Sequence, residues 1–588
     1  MRPVIASLVA LVAFALPVQT VEPAKTFANP LNLPYRFAVD HPSRREAADP
    51  AIVVFKNRYY LFASKSGGYL TSADLLEWEL VTPTGLPIDA YAPAVLALGD
   101  TLFFMANGTG IYASTNPLRG HWQFVSQPVN VGDPALFADD DGRVFVYYGL
   151  SLNGGIYGQQ LDPAHEFQTI GKPFECLRAD ITRRGWERTG DRNLGATVDG
   201  VTRETPWVEG SWMTKHGRTY YLQYAAPGTE FVTYSDGLFT APAPTGPFTY
   251  ALNSPVSHKA SGFISGAGHS GTFADLQGRY WHISTMVVSV THMFERRLGL
   301  FPADFDTEGT FHVNTVLGDY PQVAPARRTS VDTFAGLMLV SYKKPVRASS
   351  SAPNHPPAYA NDEDVKTTWS AAKLEPGEWF QIDLGAANRV DAVQINFGEE
   401  GSTAIGDPGT WTRQPGYAPS APTLRPDGLY HSYVLEGSTD AKTWSVLIDR
   451  RANTRDVPHD YLELAAPASV RYVKVTATHV PGGGPFSLRD LRVFGKAPGD
   501  PPAPPGSVEV QRGTDRRNAV IRWGRVAGAD GYIVRFGPTP ETLYDNVQVY
   551  GDTDVSLHSL NVDTPYAFAV DAFSGSGRTR GSSTVQVR

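Results

Sequence analysis

Only one cysteine, Cys176, occurs in the 588 residues. No intrachain disulfide can form, and stability has to come from sizeable packed cores. Long apolar runs are equally scarce: after the first twenty or so residues nothing is apolar over the length a membrane span needs, so no span is expected. Blocks rich in Lys and Arg are absent too, and 51 Lys plus Arg against 59 Asp plus Glu leave a net charge of −8. That balance argues against nucleic acid as a partner. The one apolar run, residues 4–16, follows Arg2, is broken only by Ser7 and ends at Pro17. It is too short to cross a bilayer but fits the core of a signal peptide, so residues 1–22 are expected to direct export to the periplasm or the medium.

What is present is turn formers and aromatics: 56 Gly, 46 Pro and an aromatic share of 11%. This suits short strands joined by tight turns, with flat faces on which sugar rings stack. The length implies about three domains at ~100 to 200 residues each.

Five segments repeat one pattern: a short dipeptide, an apolar strand, a turn and an aromatic strand. They open at Asp49-Pro50, Ala92-Pro93, Asp133-Pro134, Glu209-Gly210 and His269-Ser270, and turn at Lys56-Asn57, Gly99-Asp100, Asp141-Gly142, His216-Gly217 and Gln277-Gly278. Strand, turn, strand is a hairpin signal, and outer strands complete four-stranded units. The first three openings stand 43 and 41 residues apart, close to the ~40 to 45 residues of a propeller blade. The predicted fold is all-β, with a five-bladed β-propeller over residues 40–335. The wider gap before Glu209 predicts a long inserted loop around residues 174–206.

Equivalent positions on innermost strands face one shared channel, so Asp49, Ala92, Asp133, Glu209 and His269 are expected to meet at the axis. Taken singly, Asp-Pro is a strand-entry turn and a lone histidine a satisfied core residue. Three carboxyls drawn to one place would repel, and glycoside hydrolysis uses such a set: one protonated carboxyl donates to the leaving oxygen, a second activates water, and a third charge holds up the donor's pKa.

These residues resemble glycoside hydrolase family 43, in the family's order: Ala48-Asp49-Pro50, Gly132-Asp133-Pro134 with Asp139-Asp140-Asp141-Gly142, and Val208-Glu209-Gly210. The resemblance implies an inverting glycosidase for arabinofuranosyl, xylosyl or galactosyl linkages of a poly- or oligosaccharide. Asp49 would be general base, Asp133 the pKa-tuning residue and Glu209 general acid. It also implies an ion, often calcium, beside His269, with no cofactor needed for the chemistry, and Arg296 in the sugar pocket. Ala92, Tyr224 and Trp186 complete the candidate sugar contacts; Trp186, Glu187, Arg183 and Arg184 of the insertion either rim the pocket or belong to a solvated loop anchored by one Trp. Ser211-Trp212 after the acid motif departs from the family and leaves the substrate open. The competing function is a non-catalytic sugar-binding propeller whose carboxylates hold a cation.

Residues 340–496 resemble a discoidin-like (coagulation factor type C) β-sandwich, through Thr368-Trp369-Ser370, residues 379–385 and residues 491–495, with Trp369 expected in the core and ligand contacts from residues 411–430. A Pro-rich linker, 497–505, leads to residues 505–588, which resemble a fibronectin type III sandwich with Tyr566 as its tyrosine corner. Both sandwiches are expected as accessory modules, separable from a pocket confined to the propeller.

Overall fold

Residues able to take a left-handed backbone sit where the hairpins must reverse. In the computed structural model of the chain, which describes residues 25–38, 44–87, 90–198, 200–400, 429–581 and 584–588, Lys56 and Asn57 take φ of 48° and 59°. Two successive positive φ values make the tight turn whose twist matches paired strands, here Ala51–Phe55 and Arg58–Phe62. The expected signal peptide, residues 1–22, lies outside the described residues.

The fold is all-β. Four antiparallel strands in chain order form each of four sheets, beginning with Ala51–Phe55, Ala94–Leu98, Ala135–Ala138 and Ser265–Ala274; a fifth sheet, begun by Trp207–His216, borrows Ser151–Leu152 as an extra edge. These opening strands touch one another in chain order, and the last touches the first. The sheets therefore close into a ring with their first strands innermost, and aromatic and aliphatic side chains fill the wedges between neighbours, as Phe62, Phe104 and Trp122 do between the first two.

The second unit is built on two long strands, Trp379–Phe397 and His459–His479, whose pairing shifts register between Asp383 and Asn388. Such shifts bend strands so that one sheet wraps into a sandwich, and Trp369 is fully buried in its core. The third unit pairs Val508–Arg512, Ala519–Trp523 and Asp554–Leu557 against a second sheet centred on Gly531–Gly537 and Tyr566–Ser574. Its Tyr566 hydroxyl accepts the backbone N–H of Asn561 at 3.1 Å.

The units are not strung on a loose tether. Residues just past the expected signal peptide run along the seam between ring and second unit: Asn29 donates to the carbonyls of Leu300 and Gly318, while Thr26 bonds to Tyr461 at 2.6 Å. The start of the Pro-rich linker is pinned by an Ala497 N–H to Gly575 carbonyl bond.

Candidate active site

The innermost strands are entered through left-handed residues. Asp49, Ala92, Asp133 and His269 have φ of 53°, 47°, 48° and 45°, and the equivalent residue of the sheet begun by Trp207–His216 is Gly210, at 64°. The fourth repeat therefore stands one residue out of the register expected from sequence. Glu209 pairs with Ala225 inside its strand, and the irregularity that follows absorbs Gly210 before pairing resumes at Trp212. A Cβ on residue 210 would stand 2.7 Å from the His269 ring, so only glycine fits at this turn. Non-glycine residues held left-handed cost of order 1 kcal/mol or more each, and such strain clusters at functional sites.

Asp49, Asp133, Glu209 and Arg296 line one cavity of about 320 Å³. Ser64 donates to Asp49 Oδ2 at 2.5 Å, and Arg296 donates to Asp49 Oδ1 at 3.1 Å, to Thr229 Oγ1 at 3.1 Å and to Glu46 Oε1 at 2.7 Å. Glu46 is held in turn by Arg44 at 2.9 Å. Tyr234 donates to Glu209 Oε1 at 2.5 Å.

These partners pull the carboxyls apart. Burial alone would raise Asp49, but the charge of Arg296, then His269 and the Ser64 hydrogen bond, hold it below its ordinary value. Burial pushes Glu209 up to about 7; the Tyr234 hydroxyl resists this and the charge of Asp49 adds to it. Asp133 is pushed well up by burial and then by the neighbouring charges of Glu209 and Asp49. Asp49, whose ionised form is favoured, thus shares a pocket with Glu209 and Asp133, whose protonated forms are favoured, and acid–base catalysis requires such a division.

The other predicted residues separate into two groups. His269 reaches the cluster, with Nδ1 3.2 Å from Asp49 and 3.6 Å from Asp133, and burial keeps its pKa below the ordinary value. Ala92 contributes backbone, its N–H donating to Ser64 Oγ at 2.7 Å. Tyr224 and Trp186 do not reach the pocket. Trp186 is 0% exposed, packs on Tyr224 and donates to the Tyr250 hydroxyl at 3.0 Å, while Tyr224 bonds to Glu187. The insertion turns away from the axis because its backbone pairs with the third unit: Gly185 N–H donates to the Leu560 carbonyl and Val562 N–H to that of Arg183, whose guanidinium holds Asp563. It is a docking segment for that unit, not a rim.

Sequence reasoning missed Tyr91, Trp207, Glu230, Met293 and Phe294, which also line the cavity. A signal existed for Trp207: strand alternation puts residues two apart on one face, and Trp207 precedes Glu209 by two. Trp207 is 39% exposed, a large ring facing open space. The others stand on connections, where no periodicity marks them.

Calcium takes six to eight oxygen ligands. Among the described residues no three His, Cys, Asp or Glu side chains are grouped to hold a metal, and both Asp49 oxygens are engaged by Ser64 and Arg296. Side chains alone do not make a calcium cage here, and no chemical step is derived through an ion. Residues 411–428 of the expected ligand loop lie outside the described residues.

Two stretches of the chain match described protein families. Residues 43–311 match the family description "Glycosyl hydrolases family 43", and residues 345–408 match "F5/8 type C domain". A "Beta-xylosidase" of Xylanibacter ruminicola is 29% identical over 220 residues, 34% of this chain and 60% of that protein. A "Beta-D-galactofuranosidase xynD" of Aspergillus niger is 26% identical over 245 residues, 34% of this chain and 63% of the other. The chain thus spans less than two thirds of either relative. Among solved structures, "Bacteroides ovatus Xyloglucan PUL GH43B" aligns over 96% of this chain and 98% of its own, at 14% identity and a TM-score of 0.40. The chain holds a family 43 glycosyl hydrolase domain and an F5/8 type C domain.

Proposed function

We propose that this protein is an exported glycosidase that hydrolyses arabinofuranosyl, xylosyl or galactosyl linkages of a polysaccharide with inversion, on a five-bladed propeller. The observation that carries this reading is the split between two buried carboxyls of one pocket: Asp49, held ionised by Arg296, and Glu209, raised to about 7. In the proposed step Asp49 takes a proton from water as the water attacks the anomeric carbon. Glu209 gives its proton to the departing oxygen, while Asp133, itself pushed well up by burial and by the charges of Glu209 and Asp49, is proposed as the third carboxyl that tunes the pair. The sugar class is drawn from the family and from relatives named as xylosidase and galactofuranosidase. The proposed step uses no cofactor.

The C-terminal unit is proposed as a fibronectin type III domain on its two-sheet order and the Tyr566 to Asn561 bond. Release of the aryl group from arabinofuranoside, xyloside and galactoside substrates tests the activity, and proton NMR of the first-formed anomer tests inversion. No release from the whole panel, by protein with an intact melting transition, would overturn the glycosidase reading. Retention would recast Asp49 as a nucleophile.

A further inference from the structure

The strand Arg296–Phe305 brings Arg296 to Asp49, and the residues on either side of Arg296 within its chain both turn outward to the second unit. Glu295 accepts from Arg489 at 3.0 Å, and the Arg297 guanidinium meets His459 Nε2 at 2.8 Å. Arg489 is fixed from behind by the Val365 carbonyl at 2.8 Å. The two oxygens of Glu295 are divided: Oε1 takes Arg489, while Oε2 takes the backbone N–H groups of Val290 and Thr291, each at 3.0 Å, and the Thr291 hydroxyl. The Glu295 carbonyl accepts from Val288 and Ser289. Residues 288–295 therefore fold as a ring drawn shut on one carboxylate, and that ring carries Met293 and Phe294 into the cavity wall. The Phe294 ring lies 4.9 Å from the Arg296 guanidinium and 5.7 Å from the Tyr91 ring.

We propose that Arg489 of the F5/8 type C unit is a positioning residue of the active site, acting through Glu295 on the pocket-wall loop 288–294 and on Arg296. The physical argument is that a buried carboxylate with one oxygen on a guanidinium and the other on two amides has little freedom. Loss of the guanidinium leaves Glu295 buried with its charge uncompensated on that side, so it must shift or take up water, and the loop amides lose a fixed acceptor. The neighbouring sandwich is thereby part of the pocket's frame, and its removal costs more than attachment to a polymer. The inference rests on the glycosidase reading for its kinetic arm only.

The test uses the full chain with Arg489→Met, Arg489→Lys and Glu295→Gln, and Arg183→Ala at the other seam as control. Hydrogen exchange read over residues 288–298 should quicken about tenfold in Arg489→Met and Glu295→Gln, with exchange elsewhere unchanged, and Arg489→Lys should restore most of the protection. On the best aryl glycoside of the panel, KM should rise and kcat fall, together on the order of tenfold to a hundredfold in kcat/KM, the scale of a small misplacement at a catalytic site. The acid limb of the pH profile should move to higher pH, because a loosened Arg296 depresses Asp49 less. Arg183→Ala should leave all three readouts as in the parent. Loop exchange and kinetics unchanged in Arg489→Met and Glu295→Gln would overturn the proposal, as would uniform faster exchange across the chain with no change in KM or pH profile. If the parent protein turns over no substrate, the glycosidase reading fails and the exchange arm still decides whether Arg489 frames the loop. If Arg489→Met does not fold, Arg489→Lys and Glu295→Gln carry the same comparison.

Discussion

Buried charge occurs in two places in this molecule and is arranged in opposite ways. At the axis, Asp49, Asp133, Glu209 and Glu230 line a cavity that holds one guanidinium, Arg296. At the seam between ring and second unit, charges meet partners of opposite sign: Arg492 donates to both oxygens of Glu363 at 2.7 and 2.9 Å, Arg45 holds Asp456 at 2.7 Å and also Glu399, and Lys259 stands 3.0 Å from Asp319. Burial is as deep in both. Surplus negative charge at the axis is relieved by keeping protons on Glu209 and Asp133, whereas paired charge at the seam is relieved by geometry. One arrangement titrates near neutrality and the other binds domains together; the residue types are the same.

The comparison predicts that variants at the two places will fail in different currencies. Asp49→Asn and Glu209→Gln should each lower turnover on the order of 10²- to 10⁴-fold; the melting temperature should hold or rise in Glu209→Gln, because burial disfavours that carboxylate, and fall somewhat in Asp49→Asn, because Arg296 loses one of its two carboxylate partners. Turnover near that of the parent in Glu209→Gln would remove it as the acid. Arg492→Met should do the reverse. Breaking one side of a buried pair costs about 3 to 5 kcal/mol, because Glu363 stays buried with nothing opposite, so stability in urea should fall by that amount while turnover well below the melting temperature is kept. A chain ended near Tyr342 strips the whole seam and should not give a stable, active ring; if it does, the seam is dispensable.

Much of the axis was legible in the sequence and little of the seam. Asp49, Asp133 and Glu209 announce themselves through a repeat, because each inner strand needs a turn of the same shape at its entrance. The one-residue slip at Gly210 was hidden because Glu-Gly and Asp-Pro look alike when only spacing is compared, and close approach to the His269 ring decides between them. The seam offers no such repeat. Arg45 and Asp456 lie 411 residues apart, and in sequence neither differs from a solvated surface charge. The insertion misled for a related reason: an aromatic in a long polar loop suits a sugar rim and a docking anchor equally, and for Trp186 only the fold tells which.

A smaller effect sharpens the electrostatic side. Tyr234 donates to Glu209 and so favours its carboxylate form. Tyr234→Phe should raise the Glu209 pKa above about 7. Catalysis by a general acid needs the protonated form and is lost as pH rises through that pKa, so the basic limb of kcat/KM should move to higher pH while the acid limb, set by Asp49, stays in place. A basic limb that moves down, or does not move, would mean that another group sets it.

The smallest expected effect concerns binding without charge. Trp207 stands on the same strand face as Glu209 and leaves a large ring 39% exposed beside the cavity, although burial of such a ring elsewhere would be favourable. Exposure of that kind is explained if a sugar ring covers it, since the face of an indole packs against the C–H face of a pyranose or furanose. Aromatic contacts of this sort contribute about 0.5 to 1.5 kcal/mol beyond area, so Trp207→Ala should raise KM by about two- to tenfold. Because Asp49 and Arg296 are held by Ser64, Thr229 and Glu46 and not by this ring, kcat and both limbs of the pH profile should hold. Trp207→Phe should recover part of the loss, as a smaller ring offers a smaller face. If KM is unchanged in Trp207→Ala while kcat falls, the ring orients Glu209 and does not bind sugar. The axial pocket would then owe its grip on substrate to Tyr91, Met293 and Phe294, which line the same cavity.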